Sequence, residues 1–303
     1  MKETRLIVNA DDLGMSRGIT DGILIAHKHG FLTSASLMPN MPAADYAVAR
    51  LCTAPKLAVG VHLNICQGRP LLHPCETRSL VGPDGRFHPA PVMARRLWRW
   101  QVCAAELEGE FREQIRWMKH RGLQPTHADS HQHMHIYPAA ARPFARALAA
   151  EGIGRARAPR CSYWPRTGSL GRAHAGGALR RLLVYSYRSA LQTLVFRDLA
   201  SPDSRVAFLP RHRGDLRTLG ARWRITLQNL PPGTFEFACH PGLPDADFRG
   251  TDAIRAQREE ELRWLMDHEL RSIIAECGIR LITYNDIPAP GAIARVAAAA
   301  AAM

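Results

Sequence analysis

The sequence predicts an α/β fold, in which a parallel sheet forms a (β/α) barrel or an incomplete version of one. Apolar strand-like runs alternate with amphipathic helical segments, one unit in about 25 to 35 residues, which is typical of parallel sheets. Three of these runs end in Asp or His, and side chains at the carboxyl ends of barrel strands converge on one face. A chain of 303 residues has room for one such barrel, since they commonly run to about 250 residues.

The first half of the chain contains the clearest units. The predicted strands cover residues 6–9, 34–38, 57–63, 126–129 and 154–158, and the predicted helices cover residues 20–29, 43–51, 106–120 and 139–151. Gly30 is expected to end the first helix as its C-cap. In helix 106–120, apolar residues recur on one stripe and charged residues occupy the other face, as expected of a helix packed on a sheet.

The regular alternation is interrupted after residue 160. Residues 161–230 are predicted as an insertion that caps the barrel, and they include a helix at 178–196. An ordinary packing helix of the barrel is an equally good interpretation of 178–196. Regular structure resumes with a strand at 234–240, a helix at 259–277 and a strand at 279–283. We therefore predict one barrel domain over residues 1–290, followed by an Ala-rich tail at 291–303.

The net charge of +13 raises the question of nucleic-acid binding. Almost all of the basic residues are arginine, and the densest basic stretch, 155–224, contains no recognisable RNA- or DNA-binding motif. We therefore expect no nucleic-acid partner. The charge is compatible with a surface that attracts an anionic substrate or an anionic membrane. A homodimer is also compatible with the sequence, which does not decide the oligomeric state.

The cysteines and the hydropathy indicate a protein without disulfides or membrane spans. Seven scattered cysteines form no CxxC pair, so we expect free thiols. Cys239 adjoins His240, but a small buried side chain at a strand end explains it better than a catalytic thiol. No apolar stretch approaches the roughly 18 residues of a membrane span. Residues 1–5 lead straight into a strand without a signal-peptide pattern, so a cytoplasmic location is expected.

Three strand ends supply the residue types that an open divalent-metal site needs. The first strand leads into Asp11 and Asp12, the third ends in His62, and residues 126–135 contain four histidines and a carboxylate. Neighbouring side chains alternate faces along a strand, so the backbone must bend if Asp11 and Asp12 are to face one site. One of them could then bind an ion while the other serves as a general base.

Each of these features also has a purely structural interpretation. The Asp-Asp-x-Gly segment could form a turn or a helix N-cap, His62 could be a core residue, and His240 before Pro241 could lie in a surface turn. Not every histidine of 126–135 can bind an ion, so some are expected to orient a ligand or to contact a substrate. Taken together, on four strand ends of one sheet, these residues predict a metal-dependent hydrolase.

Four motifs of the chain resemble those of a known family. They are LIVNADDLG at 6–14, GVHL at 60–63, PTHADSHQHMH at 125–135 and CHP at 239–241. In order and spacing they resemble the YdjC-like (ChbG/HpnK) carbohydrate deacetylases, over roughly residues 4–160 and 234–288. The resemblance implies a distorted TIM-like barrel related to polysaccharide deacetylases. It also implies hydrolysis of the N-acetyl group of a sugar, with release of acetate.

The resemblance also implies roles for individual residues. Asp12, His62 and His131 would bind one divalent metal ion, which is usually magnesium in the family, although two imidazoles and one carboxylate suit zinc equally well. Asp11 would be the general base and His240 the general acid. The remaining candidates for ligand support or substrate contact are Arg157, His127, Asp129 and His133.

The substrate implied by the resemblance is an N-acetylated sugar. Members of the family act on short chitin-type oligosaccharides or, in one branch, on an N-acetylglucosaminyl lipid. Substrate choice is expected to depend on residues 161–230, and the apolar, Arg-flanked helix at 178–196 would suit a membrane-proximal lipid substrate. The alternatives are a metal-dependent hydrolase of a phosphoester or a cyclic amide, and a catalytically inactive carbohydrate-binding relative.

Overall fold

The sheet is parallel throughout the part of the chain that the computed structural model describes, which is residues 3–157, 159, 175–206 and 216–288. Its strands are β1 (Thr4–Leu13), β2 (Ser34–Leu37), β3 (Ala58–Leu63), β4 (Ala128–Ser130), β5 (Ser204–Val206), β6 (Gly233–Cys239) and β7 (Arg280–Ile282). The helices are α1 (Arg17–His29), α2 (Ala44–Arg50), α3 (Ala90–Trp98), α4 (Ala104–His120), α5 (Pro138–Ala150), α6 (Ala175–Leu194), α7 (Leu216–Gln228), α8 (Asp252–Leu265) and α9 (His268–Glu276).

Strand β1 is the centre of the sheet, whose order is β4-β3-β2-β1-β6-β5 with β7 also paired to β1. The run Thr4–Ala10 of β1 pairs with β6. Residues Arg5–Ile7 pair with β7, and the segment from Asn9 to Leu13 pairs with β2. Strands β7 and β2 therefore lie on the same side of β1, one after the other along its length, and β6 lies on the other side. The carboxyl end of β1 lies between β2 and β6.

The sheet curls into an incomplete barrel. Between β4 and β5, the described residues form only single bridges, from Ala128 to Ala156 and from Arg155 to Ala200. The strand predicted at 154–158 is thus reduced to these bridges. The predicted fold class, a distorted TIM-like (β/α) barrel, is confirmed.

The helices cover the outer face of the sheet and bury the predicted apolar stripes. In α4 the buried stripe consists of Leu107, Phe111, Ile115 and Met118. The Phe111 ring meets Phe144 of α5 edge-on, with 6.0 Å between ring centroids. Such burial gives roughly 1.5–3 kcal/mol for each large apolar side chain, and it fixes the barrel that carries the strand ends.

Several elements differ from the prediction. Strand β1 runs four residues beyond the predicted 6–9, and α3 lies between the predicted strand 57–63 and the predicted helix 106–120, where no element was predicted. The helix predicted at 259–277 is divided into α8 and α9, because the Asp267 carboxylate accepts a hydrogen bond from the Leu270 amide and begins a new helix.

The segment 161–230 contributes to the barrel as well as extending from it. Its described part contains α6, β5 and α7, and β5 pairs in parallel with β6. The use of the segment as a cap and the domain limits of 1–290 stay predictions, and the tail at 291–303 lies outside the described residues.

The described cysteines are free thiols, as expected; Cys161 lies outside the described residues. Cys239 donates to the Asn9 carbonyl at 3.3 Å, and burial raises the pKa of its thiol, which fits a packing role better than a nucleophilic one. Among the described helices, none combines the length and the apolar character required to span a bilayer.

Glu110 on α4 provides a test of how the barrel is held together. Its buried carboxylate accepts hydrogen bonds from the amides of Leu71 and Leu72 and from the Gln114 side chain. We expect Glu110→Gln to lower the free energy of unfolding by about 1–3 kcal/mol, because an amide NH2 would face backbone N–H donors. Urea denaturation measures the change. The control is Glu108→Gln on the same helix, whose long contact with Arg146 is solvent-exposed; equal losses in the two variants would contradict this account.

Candidate metal centre

Three strand ends bring Asp12, His62 and His131 together at the carboxyl edge of the sheet. The pairing of β1 with β2 is irregular between Ala10 and Leu13, and Asp12 has a φ of 69°. This irregularity is the bend that allows both adjacent carboxylates to face the site. His62 ends β3, and His131 follows β4 directly.

The three side chains present a set of atoms that fits a divalent ion. One ligand atom from each of Asp12, His62 and His131 lies within 4.8 Å of the others. The Oδ1 atom of Asp12 is 3.0 Å from Nδ1 of His131 and 3.4 Å from Nε2 of His62. This buried oxygen accepts no hydrogen bond of good geometry from any residue that the structure describes. Two imidazole nitrogens and an unsatisfied carboxylate oxygen suit zinc well, and three protein ligands leave coordination positions open.

Asp129 orients the imidazole of His62. Its Oδ1 lies 2.7 Å from Nδ1 of His62, and its Oδ2 accepts a hydrogen bond from Ser36 Oγ at 3.1 Å. Burial disfavours charge on His62, but the carboxylates of Asp129 and Asp11 outweigh it and raise the pKa of His62 to about 10. The carboxylate on Nδ1 turns Nε2 toward Asp12, so that loss of the Nε2 proton would leave the tautomer that a metal ligand needs.

Arg157 holds Asp11 in a bidentate ion pair. Its two terminal nitrogens lie 2.8 Å and 2.6 Å from the Asp11 oxygens, and its Nε donates to Glu236 at 2.9 Å. It also lies 2.8 Å from Asp129. Burial opposes the charge on Asp11, but Arg157 and then the histidines His62 and His240 outweigh it and lower the pKa of Asp11. Asp11 is therefore ionised at neutral pH.

His240 lies at the end of β6, beside Asp11 and open to solvent. Its Nε2 is 3.8 Å from Oδ2 of Asp11, and its side chain is 44% exposed. Glu261 of α8 accepts a hydrogen bond from the His240 backbone amide, and its carboxylate is 3.9 Å from Nδ1 of the same residue. The imidazole is thus placed between two carboxylates.

His127 and His133 lie outside the group of potential ligands. The His127 ring stacks on Tyr284 with 3.6 Å between centroids, and burial lowers the pKa of His127 to about 3. It packs under β3, where a Cβ on Gly60 would come within 2.4 Å of its ring. His133 has a φ of 54° and lies 2.8 Å from Arg205. Its ring borders the cavity above the site, so it is the better placed of the two for substrate contact.

Sequence reasoning missed several partners of the site. Arg258 on α8 donates to the outer oxygen of Asp12 and lies over the Phe248 ring, 4.9 Å from its centroid. Glu261, also on α8, was missed as well. Both residues come from a helix that is distant in sequence from the strand ends of the site, and neither belongs to a motif. Glu236 did offer a signal, since a carboxylate between two phenylalanines in an apolar strand needs a buried partner.

A cavity of about 420 Å³ opens directly above the cluster. Asp11, Asp12, His62, His131 and His240 form its polar base. The wall comes from the start of α8 and the loop before it, and includes Phe248, Arg249 and Ile254. The volume accommodates a small organic substrate in contact with the clustered side chains.

Comparisons with known proteins identify the family of this chain. A profile of the YdjC-like protein family matches residues 5–276. A carbohydrate deacetylase of Geobacillus stearothermophilus is 34% identical over 92% of this chain and 96% of its own length. One of Mus musculus is 31% identical, over 93% of this chain and 94% of its own length.

Among solved structures, the fold is similar to that of an Enterococcus faecalis protein described as a candidate cellobiose-phosphate cleavage protein. The TM-score is 0.74 at 24% sequence identity, and the match covers 93% of this chain and 98% of the other. At this identity the likeness supports the fold alone. The profile match and the relatives place this chain in the YdjC-like protein family.

Proposed function

We propose that this chain is a metal-dependent carbohydrate N-deacetylase, which hydrolyses the acetamide of an N-acetylated sugar and releases acetate. The observation that carries the proposal is the ligand set of Asp12, His62 and His131 beside the ionised, Arg157-held Asp11, at the base of a cavity. Relatives that match nearly the whole chain are named carbohydrate deacetylases, which favours this reaction over other hydrolyses.

Asp12, His62 and His131 would hold the divalent ion, zinc or magnesium. When bound, such an ion supplies a Lewis acid that polarises a carbonyl and lowers the pKa of water. Asp129 supports this role by fixing the His62 ring, and Arg258 supports it by fixing the Asp12 carboxylate. These contacts are made by Nδ1 of His62 and Oδ2 of Asp12. The atoms that face the centre of the cluster, Nε2 of His62 and Oδ1 of Asp12, take no part in them.

Asp11 is the proposed general base. A base must be ionised before it accepts a proton, and the ion pair with Arg157 ensures that Asp11 is ionised. The same pairing fixes the orientation of the carboxylate, so a water molecule in the cavity would meet an oxygen that is already in position. A low pKa also means that Asp11 releases the proton readily once the amide has been cleaved.

His240 is the proposed general acid. Its ring is partly exposed toward the cavity and lies close to Asp11, so it can donate a proton to the nitrogen of the departing sugar. Glu261 and Asp11 lie on either side of the ring. The product is then a neutral or protonated sugar amine together with acetate.

The cavity suits a sugar ring as the part of the substrate next to the amide. Its wall combines Phe248 and Ile254 with polar Gln67 and Gln257, and sugars offer both apolar ring faces and hydroxyl groups to such surfaces. We propose a chitooligosaccharide or an N-acetylglucosaminyl lipid as substrate.

The reaction is tested by acetate release from N-acetylglucosamine, diacetylchitobiose and a lipid-linked N-acetylglucosamine. The protein is first treated with a chelator and then reconstituted with zinc or magnesium. We expect acetate release that requires the metal, from at least one substrate. Absence of acetate from all three, with the metal shown to be bound, would refute deacetylation of these sugars.

Removal of either imidazole ligand is expected to abolish stoichiometric metal binding. Loss of one ligand in three weakens a site strongly, so His62→Ala and His131→Ala should each retain less than about a tenth of the bound zinc after dialysis. Elemental analysis measures the metal content, and a melting curve shows that the variants fold. His29→Ala, on the exposed face of α1, is the control. Full metal content in both ligand variants would show that the ion is bound elsewhere.

Asp11→Asn separates catalysis from metal binding. We expect a decrease in kcat of about 10²–10⁴-fold because the amide cannot accept the proton, while the metal content stays near that of the wild type. Asp45→Asn, which changes an exposed carboxylate on α2, serves as the control. Near-full activity of Asp11→Asn would mean that another group is the base.

A further inference from the structure

A second cavity, of about 270 Å³, adjoins the first, and the function proposed above assigns no part of the substrate to it. The two cavities share Asp11, His133, His240 and Gln257. They therefore meet at the proposed base and acid. A substrate whose scissile bond lies there would extend into both cavities, with one group on each side of the bond.

The inner wall of the second cavity is apolar. It is formed by Val206 of β5, Phe237 and Ala238 of β6, and Trp264 of α8. Val206, Phe237 and Trp264 are almost fully buried, at 3%, 5% and 4% exposed. A ligand group that fills this space would therefore exchange water for hydrocarbon and aromatic surface.

The polar residues that border this cavity are engaged with one another. Arg205 reaches His133 at 2.8 Å, and Glu261 accepts hydrogen bonds from the His240 amide and from Gln257 at 2.7 Å. Most of their polar atoms are thus occupied, although Nε of Arg205 has no partner among the described residues. Because the inner wall is apolar and the polar groups at its border are mostly engaged, the cavity favours an apolar occupant.

We infer that the second cavity binds the acyl group of the substrate, and that it accepts N-acyl chains longer than acetyl, such as propionyl and butyryl. This inference rests on the proposed function and extends it. An N-acylated sugar carries a polar ring on one side of the amide and a hydrocarbon chain on the other. The first cavity, with its ligand set and polar wall, suits the ring, and the second suits the chain.

The size of the second cavity favours a chain longer than a single methyl group. A water molecule occupies roughly 30 Å³ of the liquid, and a methyl group is of similar size. An acetyl methyl would therefore leave most of the 270 Å³ unfilled. Each additional methylene buried there is expected to raise affinity roughly three- to four-fold.

The reaction itself is the same for every chain length. The oxygen of water bonds to the acyl carbon, the carbon–nitrogen bond breaks, and the nitrogen takes a proton from His240. The proton lost by the water goes to Asp11. The products are a sugar amine and the carboxylic acid of the acyl chain, which ionises in water, and transfer of the proton from Asp11 to His240 restores both groups.

The experiment compares N-acetyl-, N-propionyl- and N-butyrylglucosamine as substrates of the zinc-loaded protein. We expect kcat/KM for the butyryl compound to be at least equal to that for the acetyl compound. Inhibition by the free carboxylates is measured in parallel and requires no variant. Butyrate should inhibit roughly ten-fold more strongly than acetate, from its two additional methylenes.

Val206→Phe tests the location of the chain, because the larger ring would fill the second cavity. We expect the ratio of butyryl to acetyl kcat/KM to fall at least ten-fold in this variant. The matched change is Ile254→Phe, which adds the same ring to the wall of the first cavity alone. Ile254→Phe should change kcat/KM for all three substrates by a similar factor. The ratio of butyryl to acetyl kcat/KM should stay within about two-fold of the wild type.

The outcomes separate the inference from the function on which it rests. Acetate release with butyryl hydrolysis more than 100-fold slower, and butyrate no better an inhibitor than acetate, would overturn the acyl cavity but leave deacetylation standing. Release of no carboxylate from any substrate, with zinc bound, would overturn deacetylation itself. If Val206→Phe impairs diacetylchitobiose but leaves the acyl ratio unchanged, the cavity holds a second sugar ring and the inference is wrong.

Discussion

The buried guanidinium of Arg157 is the interaction on which the rest of the site depends. It contacts three carboxylates at once, from Asp11 on β1, Asp129 on β4 and Glu236 on β6. Each of these acids lies in the barrel interior, where an unpaired charge would cost several kcal/mol. By pairing with all three, Arg157 allows three strands to carry charge inside the barrel.

The charge balance of this core explains why a cation fits it. Once His62 has lost its proton to bind an ion, and with the carboxylates ionised, two positive groups face four negative ones; these are Arg157 and Arg258 against Asp11, Asp12, Asp129 and Glu236. Two negative charges are left over, which a divalent ion would balance. The unsatisfied Oδ1 of Asp12 lies where that ion would be coordinated. The ligand set and the net charge of its surroundings therefore lead to the same conclusion.

The sequence allowed site residues to be predicted where an Asp or a His stands at the end of a predicted strand. Asp11, Asp12 and His62 were found because a barrel brings strand ends together, and His131 because it stands in a dense cluster that begins at one of them. Arg258 could not be found this way, since it reaches Asp12 from a helix 246 residues away. The fold class was predictable from the alternation of strands and helices. The division between α8 and α9 was not, because it depends on the N-cap formed by Asp267 rather than on apolar periodicity.

At Asp12, the backbone conformation that the site requires lowers the stability of the fold. A non-glycine residue at a φ of 69° is uncommon, and such conformations cost of order 1–3 kcal/mol. Glycine would relax the bend but would remove the carboxylate that faces His62 and His131. The chain thus gives up some stability at the one position where the turn and the ligand must be the same residue. Engineering this protein for heat resistance by relieving strained positions would therefore have to leave its most obvious target untouched.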